Sequence, residues 1–572
     1  MLNNLLSIPK LPLNDWVSNA VNWMTENWSG FFNAIQNGGQ SWMDGMTAFL
    51  TAIPTPVFVI ALALLAFFTT PKKYGLPVLI LLGLALIDNQ ALWGDLMQTL
   101  TLVFTSSFIA LIVGIPLGIW SSKSPKAFAV IKPILDFMQT MPAFVYLIPA
   151  VAFFGIGMVP GAFASIIFAL PPVVNLTHLG LQQVPEDLVE AADSFGSTTW
   201  QKLFKLELPS AKPSIIAGSK QTIMLALSMV VTASMIGAPG LGRGVLSAVQ
   251  HADVGAGFVN GIALVILAII VDRFVQKLNT NPVTTAKLPK WRKIAAWAMV
   301  AVMFFSGAVG SFMAAKDAGK QVTLGYVEWD SEVASTNVLA EAMRQHGYTV
   351  KTTPLDNAVN WQSVANKQVD GTVSAWLPVT HKAMLAKYKD KVDVLGKNLT
   401  GVRLGLAVPE YMDVNSISDL TNQADKNIVG IEAGAGVMTA AQKTIDSYSN
   451  LSGWKLTPSS SGAMPAALDK AYKAKQPIVV TGWTPHWMFN KYKLKFLDDP
   501  KKTMGGEESI QTVVRKDLKK TNPDTYKIMK NFKWSQDDMQ SVMLAIQDGK
   551  TPEQAAKDYI KTHKSQVDSW FK

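Results

Sequence analysis

Long runs without a charged side chain constrain this chain more than any other feature. Such runs recur between residues 45 and 315, whereas residues 316–572 have the charge density of a water-soluble protein. A helix that crosses a bilayer needs about 20 apolar residues, and 49% of the chain is hydrophobic. The sequence therefore predicts a multidomain protein, with a polytopic α-helical part in the lipid bilayer and a second part in water.

The gaps between charges predict about eight membrane spans. One run is long enough to cross twice, with FGIGMVPG at 154–161 as the turn, and the run at 74–87 is short for a complete span. The runs lie at 45–71, 74–87, 96–122, 137–185, 221–242, 254–271 and 294–315.

The distribution of lysine and arginine predicts the orientation, because cytoplasmic loops carry an excess of both. With eight spans, the outside loops hold only Lys10 and Arg243. The formal net charge of +10 then reflects membrane topology, and we do not expect nucleic-acid binding. We expect a multi-pass protein of the plasma membrane with its N-terminus and residues 316–572 outside. The inside loops hold Lys72, Lys73, Lys123, Lys126, Lys132, Lys202, Lys205, Lys212, Lys277, Lys287, Lys290, Arg292 and Lys293.

These patterns divide the chain into five predicted parts. Residues 14–50 mix tryptophan and phenylalanine with polar residues, which favours an interfacial amphipathic helix over a loosely ordered arm. The parts are an extracellular amphipathic segment at 1–48, two scaffold spans at 49–92, the main transmembrane domain at 93–280, a basic linker with a last anchoring span at 281–316, and an extracellular domain at 317–572.

The longest cytoplasmic loop contains the stretch VPEDLVEAADSFGSTTWQKLFKLELP at 184–209. Pro185 suits the first turn of a helix, and Gly196 suits the position just after its end. Ser197 or Thr198 can cap a second short helix that ends before Pro209. The loop therefore predicts two short helices against the cytoplasmic face, either as a docking surface or as a plain amphipathic linker.

This loop resembles the EAA loop of ABC importer permeases, which forms the helix that couples the permease to its ATPase. The resemblance implies an ATPase-coupling role for the loop, a second copy of this chain and two copies of a separate ATP-binding subunit. The matching residues are Glu190, Ala191, Ala192, Gly196, Leu208 and Pro209.

The chain itself has no sequence motif for ATP hydrolysis. A phosphate-binding loop of the form G-x-x-x-x-G-K-[ST] does not occur. The glycine-rich GAPGLGRG at 237–244 lacks the lysine, and we interpret it as a flexible extracellular loop. We therefore expect no catalytic site and no cofactor or metal on this chain, with ATP and magnesium on the partner subunit. The absence of cysteine also excludes a lipidated cysteine anchor, so the span at 294–315 would tether the outer domain.

Strand and helix patterns alternate from residue 321 onward. QVTLGYV and YTVKTT flank a helical pattern at 331–347, and NIVGIEAGAGVMTAAQK at 427–443 repeats strand, glycine turn and helix. This alternation predicts a two-lobed α/β clamshell of the periplasmic-binding-protein type. We expect lobe 1 at 320–408 with 500–572, and lobe 2 at 409–495.

Three tryptophans follow predicted strands, namely Trp329, Trp376 and Trp483. Open α/β sheets place ligands at the carboxyl ends of their strands, so these indoles can meet in one cleft. Indole faces attract cations, and a quaternary ammonium has no N–H to donate to a carboxylate. We therefore predict an aromatic cage for a quaternary ammonium, although a single tryptophan at a strand end is more often packing.

A zwitterionic ligand would also need a site for its carboxylate. The helix that opens at GAGVMTAA offers free backbone N–H groups at its positive end. Gly434 and Gly436 allow close backbone approach there, and His486 lies three residues after Trp483. We leave the other tryptophans, including Trp487, as packing, and we interpret Glu328 and Asp330 as solvated loop charges.

The outer domain resembles the glycine-betaine-binding proteins of osmoregulatory ABC importers in GYVEW, SAWLP, EAGAGVM and GWTPHW. The resemblance implies that Trp329, Trp376 and Trp483 form the ammonium cage. It also implies that the amides of Gly436 and Val437, with His486, hold the carboxylate of glycine betaine. The alternatives are choline, carnitine or proline betaine as the main ligand, or a ligand-gated receptor or channel.

Overall fold

The computed structural model describes residues 11–69, 74–278, 290–314 and 320–572. Contacts between Cα atoms group them into two compact units, one with residues 1–241 and 263–311 and the other with residues 242–262 and 312–572. The predicted boundaries at 280/281 and 316/317 lie outside the described residues. So do the predicted loop lysines Lys10, Lys72, Lys73 and Lys287.

The first unit is built from helices in its described residues. The predicted N-terminal amphipathic segment is helical, because α1 and α2 span most of it. The helices of this part of the chain are α1 (Leu13–Asn27), α2 (Ser29–Ala52), α3 (Thr55–Thr69), α4 (Gly75–Asn89), α5 (Trp93–Lys123), α6 (Pro125–Thr140), α7 (Leu147–Phe154), α8 (Met158–Gln182), α9 (Glu186–Ser194), α10 (Thr199–Lys202), α11 (Leu208–Ser234), α12 (Leu241–Gln250), α13 (Val254–Leu278) and α14 (Lys290–Ala314).

Within the described residues, four helices are long and apolar enough to cross a membrane: α5, α8, α13 and the continuous stretch Thr199–Ser234. The number rises to six if each of two bent helix pairs counts as one span. The pairs are α2 with α3, bent by 90°, and α6 with 143–154, bent by 108°. Two shorter apolar helices, α4 and the stretch Trp297–Gly307, lie at the remaining predicted spans. The count of eight spans therefore stays a prediction.

The predicted turn at 154–161 is built on glycine. Gly155 and Gly157 follow α7 with φ of 77° and 109°, a left-handed region that favours glycine. Helix α8 begins at the next residue and packs extensively against α5 and α11. Small residues permit this contact, since a Cβ atom on Gly118 of α5 would lie 2.5 Å from Thr177 Cβ of α8.

The second unit contains a nine-stranded mixed sheet in the order β2-β1-β3-β9-β4-β7-β5-β6, with β8 paired to β4. Two of its four parallel pairs, β1 with β2 and β5 with β6, come from the two predicted strand–helix repeats. The strands are β1 (Lys320–Tyr326), β2 (Tyr348–Pro354), β3 (Gly371–Leu377), β4 (Val392–Pro409), β5 (Asn427–Val429), β6 (Lys455–Thr457), β7 (Val479–Thr484), β8 (Leu494–Phe496) and β9 (Glu508–Arg515).

Strand β4 belongs to both lobes of this unit. Its first part, up to Val402, pairs with β9, and its second part, from Arg403, pairs with β7 and β8. Lobe 1 therefore contains β1, β2, β3 and β9, and lobe 2 contains β5 to β8. The predicted lobe boundary at 408/409 lies at the end of β4 rather than at this change of partner.

Helices cover the sheet, and one core runs through both lobes. Every residue of α15 from Ser331 to Met343 is buried. The helices of this unit are α15 (Asp330–Gln345), α16 (Asn357–Ala365), α17 (Lys382–Tyr388), α18 (Gly436–Ser447), α19 (Ala463–Lys473), α20 (Met488–Lys491), α21 (Leu518–Thr521), α22 (Pro523–Asn531), α23 (Gln536–Gln547), α24 (Pro552–Thr562) and α25 (Lys564–Trp570).

Residues 242–262 also belong to the second unit. The Arg243 side chain donates from Nη2 to the Thr352 carbonyl at 2.9 Å, and the Gly462 N–H donates to the Gln250 carbonyl at 2.8 Å. The prediction of a loop at 237–244 is wrong from Leu241 onward, because α12 begins at that residue. The span predicted at 221–242 extends past the end of α11, which is at Ser234.

Candidate ligand-binding site

The three predicted cage tryptophans lie together in one pocket of the second unit. Trp329 lies between β1 and α15, Trp376 is the penultimate residue of β3, and Trp483 is the penultimate residue of β7. All three side chains are buried. The pocket has an empty volume of about 300 Å³, part of it open to solvent. The strand-end pattern therefore brings these indoles to a single cavity that both lobes line.

The wall from lobe 2 is the start of α18. Ala435, Gly436 and Val437 line the pocket, and the first amides of a helix have no intrahelical acceptor. Five of the six predicted binding residues thus share one lining. The complete lining is Trp329, Ser331, Trp376, Thr380, Leu404, Ile431, Ala435, Gly436, Val437 and Trp483.

The sixth predicted residue, His486, is not part of that lining. Its imidazole is fully buried and meets the Trp483 indole edge to face, with ring centroids 4.6 Å apart. Its Nδ1 accepts a hydrogen bond from the Met488 amide at 3.1 Å, which leaves the proton of a neutral ring on Nε2. That Nε2 lies 3.3 Å from Asp330 Oδ2. His486 therefore supports one cage wall from behind.

Asp330 is not the solvated loop charge that the sequence suggests. It is the first residue of α15, and its Oδ2 accepts a hydrogen bond from Trp487 Nε1 at 3.2 Å. Burial alone would raise the pKa of this carboxyl, but the contacts with His486, the charge of nearby His251 and the Trp487 bond hold it below its usual value. The prediction was wrong because the partners of Asp330 come from a segment about 150 residues further along the chain.

Glu328 is also engaged rather than solvated. Its Oε2 accepts a hydrogen bond from the Ser247 hydroxyl at 3.2 Å, and its Oε1 accepts one from the Tyr326 hydroxyl at 3.3 Å. His251 Nδ1 lies 3.9 Å from the same carboxylate. Ser247 and His251 belong to residues 242–262, so no strand pattern in the sequence could have shown this contact.

A second carboxyl is buried directly behind the cage. Glu332 Oε1 accepts a hydrogen bond from Trp376 Nε1 at 2.8 Å, and both side chains are buried. Burial raises the pKa of Glu332 to about 8, and the bond from Trp376 opposes this rise only in part. The group is therefore mostly neutral at pH 7, and it fixes the rotation of the Trp376 indole without adding a full charge.

His381 is a neutral neighbour of the same cage. Its ring stacks on Trp329 with centroids 6.2 Å apart and an interplanar angle of 25°, and its Nδ1 accepts from the Trp376 amide at 3.1 Å. Burial lowers the pKa of this imidazole to about 4. A cation in the cage would therefore not face a second positive charge from His381.

Sequence reasoning missed two polar residues of the lining, Ser331 and Thr380. The Ser331 hydroxyl is buried, and no hydrogen-bond partner is found for it within the described part of the chain. The amide and hydroxyl of Thr380 both donate to the Glu508 carboxylate, which fixes the loop after β3. The sequence signal that could have indicated Ser331 as a pocket residue is its position two residues after the strand-end Trp329.

The loop at 184–209, which the sequence predicts to be cytoplasmic, forms most of the predicted elements. Helix α9 contains Glu190, Ala191 and Ala192, and Gly196 follows its end with φ of 74°. Thr198 caps α10 in a capping box with Gln201. The second helix does not end before Pro209, however. A π-helical turn at Leu203–Glu207 joins α10 to α11, whose first turn tolerates Pro209 because no amide donor is needed there.

The same loop exposes large apolar side chains that the sequence reasoning passed over. Phe195 is 91% exposed and Trp200 is 70% exposed, and the Trp200 and Phe204 rings stack with centroids 5.5 Å apart. A bidentate contact of Lys202 Nζ with the Asp193 carboxylate, at 2.8 and 2.9 Å, fixes α9 against α10. Exposed patches of this kind are typical of interaction sites.

Within the residues that the structure describes, no group of three or more histidine, aspartate and glutamate side chains is placed to hold a metal ion.

A clamshell with an indole-lined cleft, in one chain with helices that can span a membrane, defines a transport permease fused to its own solute receptor. Two family models match these two parts. Residues 114–281 match the binding-protein-dependent transport system inner membrane component, and residues 320–562 match the substrate binding domain of the ABC-type glycine betaine transport system. The chain belongs to the glycine betaine ABC transporter family, with permease and substrate-binding domain in one polypeptide.

Individual relatives match parts of the chain. A glycine betaine/carnitine transport permease protein of Listeria monocytogenes is 56% identical over 275 residues, which are 48% of this chain and 97% of that protein. A glycine betaine/carnitine transport binding protein of the same organism is 51% identical over 153 residues, 27% of this chain and 51% of that protein.

A solved structure also resembles the substrate-binding domain. The lactococcal OpuAC domain, crystallised in a closed-liganded conformation with glycine betaine, is 63% identical. The match covers 44% of this chain and 100% of that one, with a TM-score of 0.44.

Proposed function

We propose that the chain captures glycine betaine in the pocket between its lobes and passes it through its own membrane domain, as part of an ATP-driven importer that serves osmoprotection. The observation that carries this proposal is the convergence of Trp329, Trp376 and Trp483 on one pocket that the N-terminus of α18 also lines. One end of the pocket suits a methylated cation, and the other suits a carboxylate.

The indoles supply the cation subsite. A desolvated cation over an indole face gains about 2 kcal/mol or more. The side chains behind the cage do not compete with this interaction, since Glu332 and His381 are both mostly neutral at pH 7. An ammonium with N–H groups would leave its donors unpaired among three indoles, whereas a trimethylated nitrogen has no donor to satisfy. The cage therefore favours quaternary ammonium groups.

The start of α18 supplies the carboxylate subsite. Gly436 and Val437 line the pocket at the positive end of a 12-residue helix, where the first amides have no intrahelical acceptor. The Ser331 hydroxyl offers a further donor from lobe 1. The contact of His486 with the ligand carboxylate stays a prediction. In the structure, His486 Nε2 lies next to Asp330.

The membrane part would work with a separate ATP-binding subunit. We propose that α9, with Glu190, Ala191, Ala192 and Gly196, docks on that subunit, and that the exposed rings of Phe195 and Trp200 fill its groove. Two copies of this chain would assemble with two ATPase subunits, which would hold ATP and magnesium. This requires the loop at 184–209 to lie in the cytoplasm and both the N-terminus and the binding domain to lie outside.

Uptake by reconstituted vesicles tests the whole proposal. The full chain, together with its ATP-binding partner, should accumulate labelled glycine betaine only when ATP is supplied on the ATPase side. Choline, carnitine and proline betaine, added as competitors, define the range of ligands. ATP-independent flux that follows the gradient would instead indicate a ligand-gated channel and would refute the importer.

A further inference from the structure

One carboxylate of lobe 1 contacts two rings of lobe 2 outside the pocket lining. Asp330 Oδ2 accepts from Trp487 Nε1 at 3.2 Å and lies 3.3 Å from His486 Nε2. The two rings follow β7 in lobe 2, whereas Asp330 opens α15 in lobe 1. The Asp330–His486 pair is close but too poorly aligned for a hydrogen bond, so it is an electrostatic contact.

We propose that Asp330 is a latch that holds the two lobes closed, and that it is a positioning residue rather than a ligand contact. This inference rests on the proposed function, because it requires the closed cleft to be the ligand-bound state. If the lobes separate, Asp330 loses both partners at once, because His486 and Trp487 move away together on one segment.

The latch and the cage share the same two segments of chain. Trp329 and Asp330 are adjacent in lobe 1, and Trp483 and His486 are three residues apart in lobe 2. The His486 ring touches Asp330 on one side and the edge of the Trp483 indole on the other. Closing the latch therefore also sets the position of two cage walls, so that lobe closure and ligand binding favour each other.

The surroundings keep the latch intact. Trp487 is buried, and Lys491 Nζ lies over its ring, 5.5 Å from the centroid, while the indole N–H donates to the Asp330 carboxylate. The Met488 amide fixes the His486 ring in the orientation that directs Nε2 to Asp330. His251 lies close enough to add positive potential at the same carboxylate. Removing a hydrogen bond to a charged acceptor costs more free energy than removing one between neutral groups.

Two substitutions remove the latch with little change of shape, Asp330→Asn and Trp487→Phe. Asp413→Asn is the matched control, because Asp413 is an exposed carboxylate of lobe 2. The chain has no cysteine, so single cysteines placed at exposed Lys351 of β2 and Lys455 of β6 can carry a pair of distance labels. These sites lie on the outermost strands of the two lobes.

The experiment measures lobe distance and the dissociation rate of labelled glycine betaine on the full chain in nanodiscs. We expect each latch variant to raise the dissociation rate about 10-fold, to lower the closed fraction, and to leave the association rate within a factor of two. The dissociation rate of the double variant should be no higher than about that of the stronger single variant, because both substitutions act on the contacts of the one Asp330 carboxylate.

Dissociation rates and closed fractions of both latch variants within a factor of two of wild type would overturn the latch. If Asp330→Asn fails to fold, Trp487→Phe alone decides between the two results. A wild-type chain that does not bind glycine betaine would overturn the proposed function instead. The closed fraction without ligand would then still test the latch, since the contact should hold more molecules closed in wild type than in Trp487→Phe.

Discussion

Gly436 at the start of α18 faces Thr380 across the cleft so closely that a Cβ atom on Gly436 would lie 2.2 Å from Thr380 Cγ2. The same atom would lie 3.1 Å from the Thr380 carbonyl oxygen. Thr380 cannot move aside easily, because its amide and hydroxyl are both bonded to Glu508. The close approach of the two lobes at the pocket therefore depends on the absence of a side chain at position 436.

Replacing Gly436 by alanine should weaken glycine betaine binding about 10-fold or more. The added methyl group forces the lobes apart, and overpacking of this kind costs about 1–3 kcal/mol. Gly434→Ala is the matched control, because nothing lies within 4 Å of a Cβ atom placed there. Calorimetric titration of the full chain measures both. Equal affinities for the two variants would show that the lobes do not close at this point.

Replacing Trp483 by alanine should lower the affinity for glycine betaine by about 30-fold or more, the equivalent of about 2 kcal/mol. Trp483→Phe keeps an aromatic face and should retain part of the affinity. Trp454→Phe, a buried tryptophan outside the pocket lining, controls for general loosening of the fold. An unchanged affinity of Trp483→Ala would remove this residue from the cage.

Glu332 should make the binding unit less stable as the pH rises. Its pKa is raised by burial from 4.5 to about 8, so the folded state holds a proton that the unfolded chain releases. The stability from this group is complete below about pH 4.5 and is lost as the pH rises through about 8, with a slope of at most about 1.4 kcal/mol per pH unit.

The denaturation midpoint of the full chain, followed by tryptophan fluorescence between pH 5 and 8, measures this dependence. Glu332→Gln should flatten the profile, whereas Glu410→Gln, at an exposed position, should keep the wild-type slope. Parallel profiles for wild type and Glu332→Gln would mean that Glu332 is ionised in the folded protein.

Replacing Gly196 by alanine should reduce transport without affecting ligand binding. Gly196 has φ of 74°, and a residue with a Cβ atom is strained there by about 1 kcal/mol or more, which would shift α9 relative to α10. Gly549→Ala, at a glycine of the binding unit with φ of 98°, is a control that also places alanine in the left-handed region. Uptake into vesicles should fall several-fold for Gly196→Ala alone. Full uptake by that variant would argue against the role of the loop.

The sequence predicted the parts of the site that depend on local pattern. The indoles at strand ends and the glycine turn before α18 follow from β-α alternation, which the structure confirms at β1, α15, β2, β5 and α18. Thr198 as a helix cap and Gly196 after the end of α9 are likewise local and are confirmed.

The sequence could not predict the contacts that join distant segments. Asp330 looked like a solvated charge because its partners, His486 and Trp487, come from the other lobe. Glu332 is buried because α15 packs there against Trp376, whose indole donates to the Glu332 carboxyl. Such pairs form only when distant segments come together in the fold. Local hydrophobic periodicity does not predict which distant segments will meet.

The central claim is that one pocket holds a quaternary cation at one end and a carboxylate at the other. Competition titration of the full chain with glycine betaine, choline and 3,3-dimethylbutanoate tests it most directly. The last compound has the shape of glycine betaine with carbon in place of the charged nitrogen, and choline lacks the carboxylate. We expect both to bind at least about 10-fold more weakly than glycine betaine, since each loses one subsite. Equal binding of 3,3-dimethylbutanoate and glycine betaine would contradict the indole cage as a cation site.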